Sequence, residues 1–194
     1  MRLIPVIIMF SLLSTACQSS HRNPVALASD IDLERFMGDW YVIASIPTPF
    51  EKNAFDALEQ YALRDNGTVA TTFSYRPGSF DAERKAMTST GFVREGTGNA
   101  VWGMQFLWPF RADYRVMYVA PDYSATVVGR NARDFLWIMA REPALADAEL
   151  ERLLAFCREQ GYRLDKLRYV PQLTADGAAD GAADGATNAV SAAP

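Results

Sequence analysis

The stretch from residue 100 to residue 119 reads AVWGMQFLWPFRADYRVMYV and predicts two neighbouring β-strands. Large apolar side chains occupy every second position of its first half, at Trp102, Met104 and Phe106. Because successive side chains of a strand point to opposite faces, these three share one face, which we expect to point inward. The alternation fits the wall of a ligand cavity and a filled core equally well, so both interpretations stay open.

Short β-branched or aromatic stretches of the same kind recur on both sides of this region, divided by turn sequences. Eight such strands in succession, with no helical period between them, predict an antiparallel up-and-down sheet. A sheet of this length has to close, because open edges invite aggregation, and eight strands enclose an interior that side chains fill or that holds one small ligand. The candidate strands are Trp40–Ile46, Ala57–Leu63, Thr68–Tyr75, Lys85–Val93, Ala100–Trp108, Tyr114–Val119, Ala125–Gly129 and Phe135–Arg141.

The hydrophobic period changes after these strands. Apolar residues recur at helical spacing from residue 150 to Cys157, with Asp147 as the expected cap and Gly161 just beyond the end. The predicted fold class is therefore all-β: an eight-stranded antiparallel barrel with one C-terminal α-helix packed on its outside. Residues 167–170 are a candidate ninth strand. Cys157 lies on the packed stripe, so we interpret it as a small buried hydrophobic group and not as a reactive thiol.

The N-terminal residues have the form of an export signal. A positive start, an apolar run over residues 3–13 and three small residues predict a secretory signal peptide at residues 1–16. The run is too short to span a bilayer, which takes roughly 20 apolar residues. The sequence Ser-Thr-Ala-Cys that ends at Cys17 resembles the lipobox of bacterial lipoproteins, although Leu13 lies one place further from the cysteine than usual. The resemblance implies acylation of Cys17, with ordinary signal cleavage as the alternative, and Gln18 implies the outer membrane.

Composition divides the rest of the chain into three segments. We interpret residues 17–31 as a lipidated tether, residues 32–173 as the barrel domain and residues 174–194 as a disordered low-complexity tail. The tail is an Asp-Gly-Ala repeat without a hydrophobic period, and it contains too little apolar area to offset the entropy of ordering it.

The residue inventory argues against several classes of function. The net charge of −4 and the absence of any Lys and Arg cluster argue against nucleic acid as a partner. The single histidine, His21, lies in the predicted tether, which excludes a Ser-His-Asp, Cys-His or multi-histidine metal site inside the barrel. We therefore expect no catalysis, no cofactor and no metal. The carboxylates near the loops are interpreted as solvated surface charges: Asp56, Glu59, Asp81 and Glu83.

Several motifs, taken in order, resemble those of the lipocalin family. Residues 36–41, FMGDWY, fit the Gly-x-Trp motif that opens the family's first strand, and the Asp-Tyr pair at 122–123 fits its sixth turn, although Thr126 replaces the following Tyr. A basic residue closing the eighth strand and the run FLWPF at 106–110 complete a match that indicates the bacterial lipoprotein branch. The residues that carry the structural motifs are Gly38, Trp40, Asp122, Tyr123 and Arg141.

The resemblance implies structural roles for the motif residues. In the family, the tryptophan plugs the closed end of the barrel and the arginine stacks across it. Transferred to this chain, Trp40 packs under Arg141, a cation–π pair that contributes ~0.5–2 kcal/mol. Gly38 permits the chain to pass close beneath the barrel.

The resemblance also implies a ligand. The loop at residues 47–55 resembles the lid over the open end of the barrel, where Phe50 and Phe55 either contact ligand or fold back onto the loop. With the inward face of residues 102–106, this implies fatty acids or lysophospholipids, stored or carried in the cell envelope by an outer-membrane lipoprotein. The alternative is an envelope interaction or assembly module with a filled barrel and no ligand.

Overall fold

Eight antiparallel strands form the body of the protein, as predicted. The computed structural model describes residues 23–173 and 179–180; the predicted signal peptide, Cys17, His21 and most of the predicted tail lie outside the described residues. The strands are β1 (Gly38–Ile46), β2 (Ala54–Leu63), β3 (Thr68–Pro77), β4 (Lys85–Val93), β5 (Val101–Leu107), β6 (Phe110–Val119), β7 (Ala125–Gly129) and β8 (Leu136–Ala140).

The sheet closes into a barrel because β1 pairs with β8 on one side and with β2 on the other. Every other pairing among these eight strands joins strands that are consecutive in sequence. This confirms the predicted up-and-down topology. We call the end where β1 begins the closed end, and the end where β1 passes into β2 the open end. The β3–β4, β5–β6 and β7–β8 connections also lie at the open end.

Three strands begin earlier than predicted, and β1 does so by two residues, at Gly38. β6 starts at Phe110, because Arg111 and Asp113 alternate with less polar neighbours and continue the strand instead of ending it. β2 starts at Ala54 and contains a bulge, where Asp56 adopts a φ of +51°. Asp56 is buried, contrary to its interpretation as a solvated charge.

Two cations neutralise the buried Asp56 carboxylate. Arg76 Nε lies 3.3 Å from its Oδ2, and Arg84 binds the same oxygen. Arg84 also donates from Nη1 to the backbone carbonyl of Asp56 at 3.0 Å. A buried charge is tolerated when it is paired and hydrogen-bonded, which is the arrangement at this bulge. Asp81 and Glu83 are exposed.

The remaining elements pack on the outside or close the bottom of the barrel. They are α1 (Leu33–Phe36), α2 (Asp147–Glu159), a 3₁₀ turn (Leu164–Lys166), β9 (Arg168–Tyr169), β10 (Gln172–Leu173) and β11 (Ala179–Asp180). β9 pairs with β1, as expected for the ninth strand. β10 and β11 pair with each other, so a short strand lies inside the segment predicted to be a disordered tail. No helix in the described part of the chain is long and apolar enough to cross a bilayer.

The long helix α2 buries Leu153, Leu154 and Cys157 against the outer face of β6–β8. Its N-cap is Ala146, so Asp147 is the first helical residue and not the cap; its charge still favours the positive end of the helix dipole. Gly161, with a φ of +82°, ends the helix as predicted.

Residues 23–31 lie against the barrel, and we call them the N-terminal strap. Val25 and Ile31 are buried, and the strap's N–H groups bond to the barrel, as from Ala28 to the carbonyl of Val116 at 3.0 Å. At the start of the strap, Arg133 Nη2 donates to the carbonyl of Asn23 at 2.7 Å. Residues 23–31, which were predicted to belong to the tether, are therefore held on the barrel, because apolar residues among them find partners on its wall.

Candidate ligand-binding cavity

A cavity of about 520 Å³ lies inside the barrel and opens at the open end. This volume falls within the range of roughly 300–1,000 Å³ that is typical of small-molecule sites. The middle of its wall is apolar, because the inward positions of facing strands carry Phe73, Met87, Met104, Trp137 and Met139. The barrel is therefore not filled by its own side chains.

Three of the predicted ligand-contact residues line this cavity. Met104 lies in its wall, and Phe106 and Phe50 lie at its mouth. Both phenylalanines are largely exposed, since each sits at the rim where a strand ends.

Trp102 and Phe55 lie elsewhere than predicted. The alternation along β5 is as expected, but Trp102 is buried below the cavity, where its ring stacks on Tyr114 at 5.4 Å between centroids. Its indole N–H donates to the carbonyl of Asn99 at 2.6 Å. Phe55 packs edge-on against Phe80 at 5.2 Å, which is the alternative in which it folds back onto the loops.

A hydroxyl pair forms the floor of the cavity. The hydroxyl groups of Tyr61 and Tyr114 hydrogen-bond to each other across the interior. Burial raises the pKa of both phenols well above the usual value, so both are neutral at physiological pH. Below this pair, Phe36, Trp40 and Trp102 fill the closed end with tilted and edge-on aromatic contacts.

Three carboxyl groups line the cavity, those of Glu51, Glu59 and Asp113, and Asp113 is paired with Arg115 at 3.0 Å. Glu59 on β2 faces inward beside Tyr61, although it was interpreted as a solvated surface charge. Burial, with a smaller contribution from the nearby charge of Glu51, raises the pKa of Glu59 to about 8. At neutral pH Glu59 is mostly a protonated, neutral acid. The alternation along β2 could have predicted this position, because Glu59 is two residues before the inward Tyr61 and therefore lies on the same face of the strand.

Glu51 belongs to the lid loop and caps the cavity wall from above. Its Oε2 accepts hydrogen bonds from the backbone N–H of Thr48 at 3.1 Å and from the indole N–H of Trp137 at 3.2 Å. Burial raises the pKa of Glu51, and these hydrogen bonds oppose the rise because they favour the ionised form. The inner wall therefore offers weak acids and phenols as its polar groups.

Arg141 fastens the closed end. Its guanidinium lies 3.8 Å from the centre of the Trp40 ring, which is the stacking that the resemblance implies. The same group donates three hydrogen bonds of 2.6 to 2.8 Å to backbone carbonyls, those of Arg35, Met37 and Asp39. A single cation thereby joins α1, the start of β1 and the end of β8.

The other motif residues surround this contact. Gly38 has a φ of +92°, which favours glycine, and a Cβ at this position would meet Arg141 Nη1 at 3.4 Å. Both the backbone conformation and the close approach of Arg141 therefore favour a residue without a side chain. The Tyr123 hydroxyl accepts the backbone N–H of Asp32 at 2.9 Å, ahead of α1. The Ser124 hydroxyl, at 2.7 Å, and the Ser124 backbone N–H, at 3.0 Å, both donate to Asp122. These hydrogen bonds shape the β6–β7 turn and lower the pKa of Asp122. None of these residues lines the cavity.

The cysteine of the described residues, Cys157, is buried against the outside of the barrel. Burial raises the pKa of the Cys157 thiol to about 12, so the group is a thiol and not a thiolate at neutral pH. Between residues 23 and 173, no three His, Cys, Asp or Glu side chains lie close enough together to hold a metal ion.

Comparison with known proteins agrees with this geometry. A family model described as "Lipocalin-like domain" matches residues 31–172. The outer membrane lipoprotein Blc of Citrobacter freundii is 29% identical over 179 residues, which cover 89% of this chain and 98% of the relative. Temperature-induced lipocalin-1 of Arabidopsis thaliana is 29% identical, with coverage of 79% and 86%.

Solved structures share the fold at lower identity. Insecticyanin of the tobacco hornworm Manduca sexta superposes with a TM-score of 0.61 at 16% identity, over 80% of this chain and 87% of that one. Lobster apocrustacyanin A1 gives a TM-score of 0.56 at 15% identity, with coverage of 77% and 89%.

Proposed function

The chain belongs to the lipocalin family, in the branch of the bacterial Blc lipoproteins, and we propose that it binds fatty acids or lysophospholipids. The observation that carries this proposal is the cavity of about 520 Å³, apolar along its walls and open at one end only. Burying an acyl chain there gains ~25 cal/mol for each Å² of apolar surface removed from water. The open volume favours a ligand over the alternative of a filled barrel that serves as an assembly module.

The polar groups of the cavity indicate that the acyl chain enters first. Glu51 and Glu59 lie along the wall, and a ligand carboxylate placed beside them would be desolvated next to two acids. Among the cavity-lining residues the single basic side chain is Arg130, at the mouth. We infer that the methyl end of the ligand lies near the Tyr61–Tyr114 pair and that its charged head stays at the mouth, near Arg130 and solvent.

We propose binding and transport without catalysis. The cavity wall holds no cysteine or histidine, and its Tyr61 and Tyr114 hydroxyl groups are held neutral by burial. The proposed role is to hold or carry single-chain lipids in the cell envelope.

We further propose that acylation of Cys17 anchors the protein in the outer membrane, facing the periplasm. The lipobox-like sequence and the similarity to proteins named outer membrane lipoproteins support this location. Cys17→Ser should remove the acyl mass and release the protein from the membrane fraction. Finding the variant still with outer membranes, together with a native protein that carries no acyl mass, would contradict the anchor.

Titration of the purified protein with a fluorescent fatty acid and a fluorescent lysophospholipid tests ligand binding directly. We expect saturable binding of one ligand per barrel and competition by unlabelled chains of matched length. An organic extract of the purified protein should contain the natural ligand. If neither probe binds after delipidation, the filled-barrel alternative takes precedence.

A further inference from the structure

The hairpin between β5 and β6 carries a cluster of exposed apolar side chains at the open end. Phe106, Leu107, Trp108 and Phe110 are 63%, 72%, 80% and 73% exposed. Phe50, on the neighbouring lid loop, is 73% exposed. Every other exposed large hydrophobic residue in the described part of the chain has an exposure of 41% or less. The five strongly exposed side chains all lie at the open end, where Phe50 and Phe106 border the same cavity. We call this set the exposed patch, and residues 106–110 the apolar tip.

The fold does not account for the apolar tip. Leu107 pairs with Phe110, so Trp108 and Pro109 form the turn itself, a position where polar residues and glycine are usual. None of the tip side chains belongs to either hydrophobic core cluster. Contiguous apolar surface of this kind, left uncovered by the protein itself, marks an interaction site.

We propose that the open end of the barrel docks on a lipid bilayer, with the apolar tip inserted among the acyl chains. Aromatic side chains at such a tip are suited to the boundary between headgroups and hydrocarbon, since their rings are apolar and the indole N–H still reaches a polar partner.

The path of the chain indicates that a lipid bilayer covers the apolar tip. The N-terminal strap begins at Asn23, which Arg133 holds in place, and Arg133 lies in the β7–β8 connection at the open end. Five residues lie between Cys17 and Asn23, and six extended Cα-to-Cα steps span at most ~20 Å. This step rests on the proposed acylation of Cys17. An acyl group at that position holds the open end, and not the closed end, next to the membrane.

The docked arrangement joins the bilayer to the cavity. Phe50 and Phe106 belong both to the exposed patch and to the cavity mouth. An acyl chain that leaves the bilayer along these rings reaches Met104 without crossing bulk water, so the hydration cost of an exposed chain is avoided. The barrel then loads from the membrane surface and not from lipid dissolved in water.

Trp108 supplies a direct probe of insertion. The full-length acylated protein is placed in phosphatidylethanolamine–phosphatidylglycerol vesicles with or without brominated acyl chains, and Trp108→Phe is the matched control. Because Trp40 and Trp102 are buried and Trp137 is common to both proteins, the difference in quenching isolates Trp108. We expect bromolipid to quench this difference signal. Vesicle-bound protein whose Trp108 emission is unaffected by bromine would overturn the proposal.

A charged tip tests the functional consequence. The double variant Trp108→Glu with Phe110→Glu should slow transfer of a fluorescent fatty acid from vesicles by about tenfold or more. Its affinity for the same fatty acid supplied in solution should be unchanged, which separates this inference from failure of the ligand-binding proposal. Leu63→Glu, at an exposed apolar position of the closed end, is the control and should transfer normally. Unchanged transfer, or a native dimer that the double variant dissociates without slowing transfer, would overturn membrane docking.

Discussion

The two ends of the barrel are built from similar residues and differ in what those residues contact. At the closed end, Trp40 is fully buried, its indole N–H donates to the carbonyl of Phe36 at 2.8 Å, and Arg141 covers its ring. At the open end, Trp108 and Phe110 lie in solvent and Glu59 faces a cavity. The contrast shows that aromatic content does not reveal the role of a region in this protein. Aromatic side chains that are packed within the protein stabilise the fold, and those that stay exposed to solvent indicate a binding surface.

The strongest test of this contrast is a tryptophan removed from each end. Trp40→Ala should lower the free energy of unfolding by ~3–5 kcal/mol, because it deletes a buried aromatic side chain and leaves a cavity. Trp108→Ala should change it by less than ~0.5 kcal/mol, as is usual for exposed sites. Urea denaturation measures both. Equal losses from the two variants would show that the apolar tip is packed in the folded protein.

Removing Arg141 should have the next largest effect. Arg141→Ala loses three hydrogen bonds to carbonyls and the stack on Trp40, for an expected cost of about 2 kcal/mol. In a double-mutant cycle with Trp40→Ala, the two changes should cost less together than the sum of the separate losses, by ~0.5–2 kcal/mol. Strict additivity would mean that the 3.8 Å approach contributes nothing to stability. Fatty-acid affinity should stay the same in the folded Arg141→Ala protein.

A substitution in the cavity wall should have the opposite balance of effects, with a larger loss of ligand affinity than of stability. Met104→Trp replaces the flexible methionine side chain with a larger indole ring inside the cavity. It should weaken fatty-acid affinity by about tenfold or more, with a smaller loss of stability. Gln105→Trp, on the opposite face of β5, is the matched control and should bind as the native protein does. A stronger effect at Gln105 would indicate that the strand register is shifted by one residue.

The titration of Glu59, inside the cavity, gives a pH-dependent test. Its pKa is about 8 in the folded protein and ~4.3 when unfolded, so the folded state holds a proton that the unfolded state releases. The resulting stability is complete below the unfolded pKa and is lost as the pH rises through about 8. Glu59→Gln keeps the shape without the charge and should flatten the dependence of unfolding free energy on pH.

The same substitution tests how the ligand lies. Glu51, Tyr61 and Tyr114 also face the cavity, but the two phenols stay neutral over this range. Native protein should therefore bind a fatty acid with little change in affinity above pH 8, because the ligand carboxylate lies at the mouth and the new charge of Glu59 faces only the acyl chain. A large affinity loss that Glu59→Gln abolishes would place a charged headgroup deep in the cavity and contradict entry of the acyl chain first.

Hydrophobic periodicity was enough to predict the barrel, its outer helix and the inward position of Met104. It did not predict where the cavity ends, because that boundary is a contact between Tyr61 and Tyr114, which are 53 residues apart. Trp102 was therefore expected in the cavity wall although it lies in the core below. A local pattern states which face a side chain occupies and carries no information about how far an empty interior extends.

The other differences have similarly non-local causes. The alternation along β2 places Glu59 on the inward face. The sequence interpretation placed it on the surface instead, because charged side chains are usually exposed. The strap appeared polar and irregular, and its order depends on partners such as Asn131 and Val116 that only the folded barrel brings close. Trp108 was expected to be the last residue of a strand although it lies in the turn, since nothing in the run FLWPF signals a turn except its proline.

The N-terminal strap also has a mechanical consequence. In a chain held at Cys17, any pull between membrane and protein is applied at Asn23 and reaches the barrel through two side chains, Arg133 and Asn131, which bind Asn23 and Val25. A load applied at one end of such a segment opens its bonds one after another and not all at once. While the first two hold, the anchor point stays beside the cavity mouth. Once they open, the distance available between Cys17 and the barrel increases and the barrel is free to turn. Arg133 and Asn131 would therefore determine how far an anchored barrel reaches from the membrane.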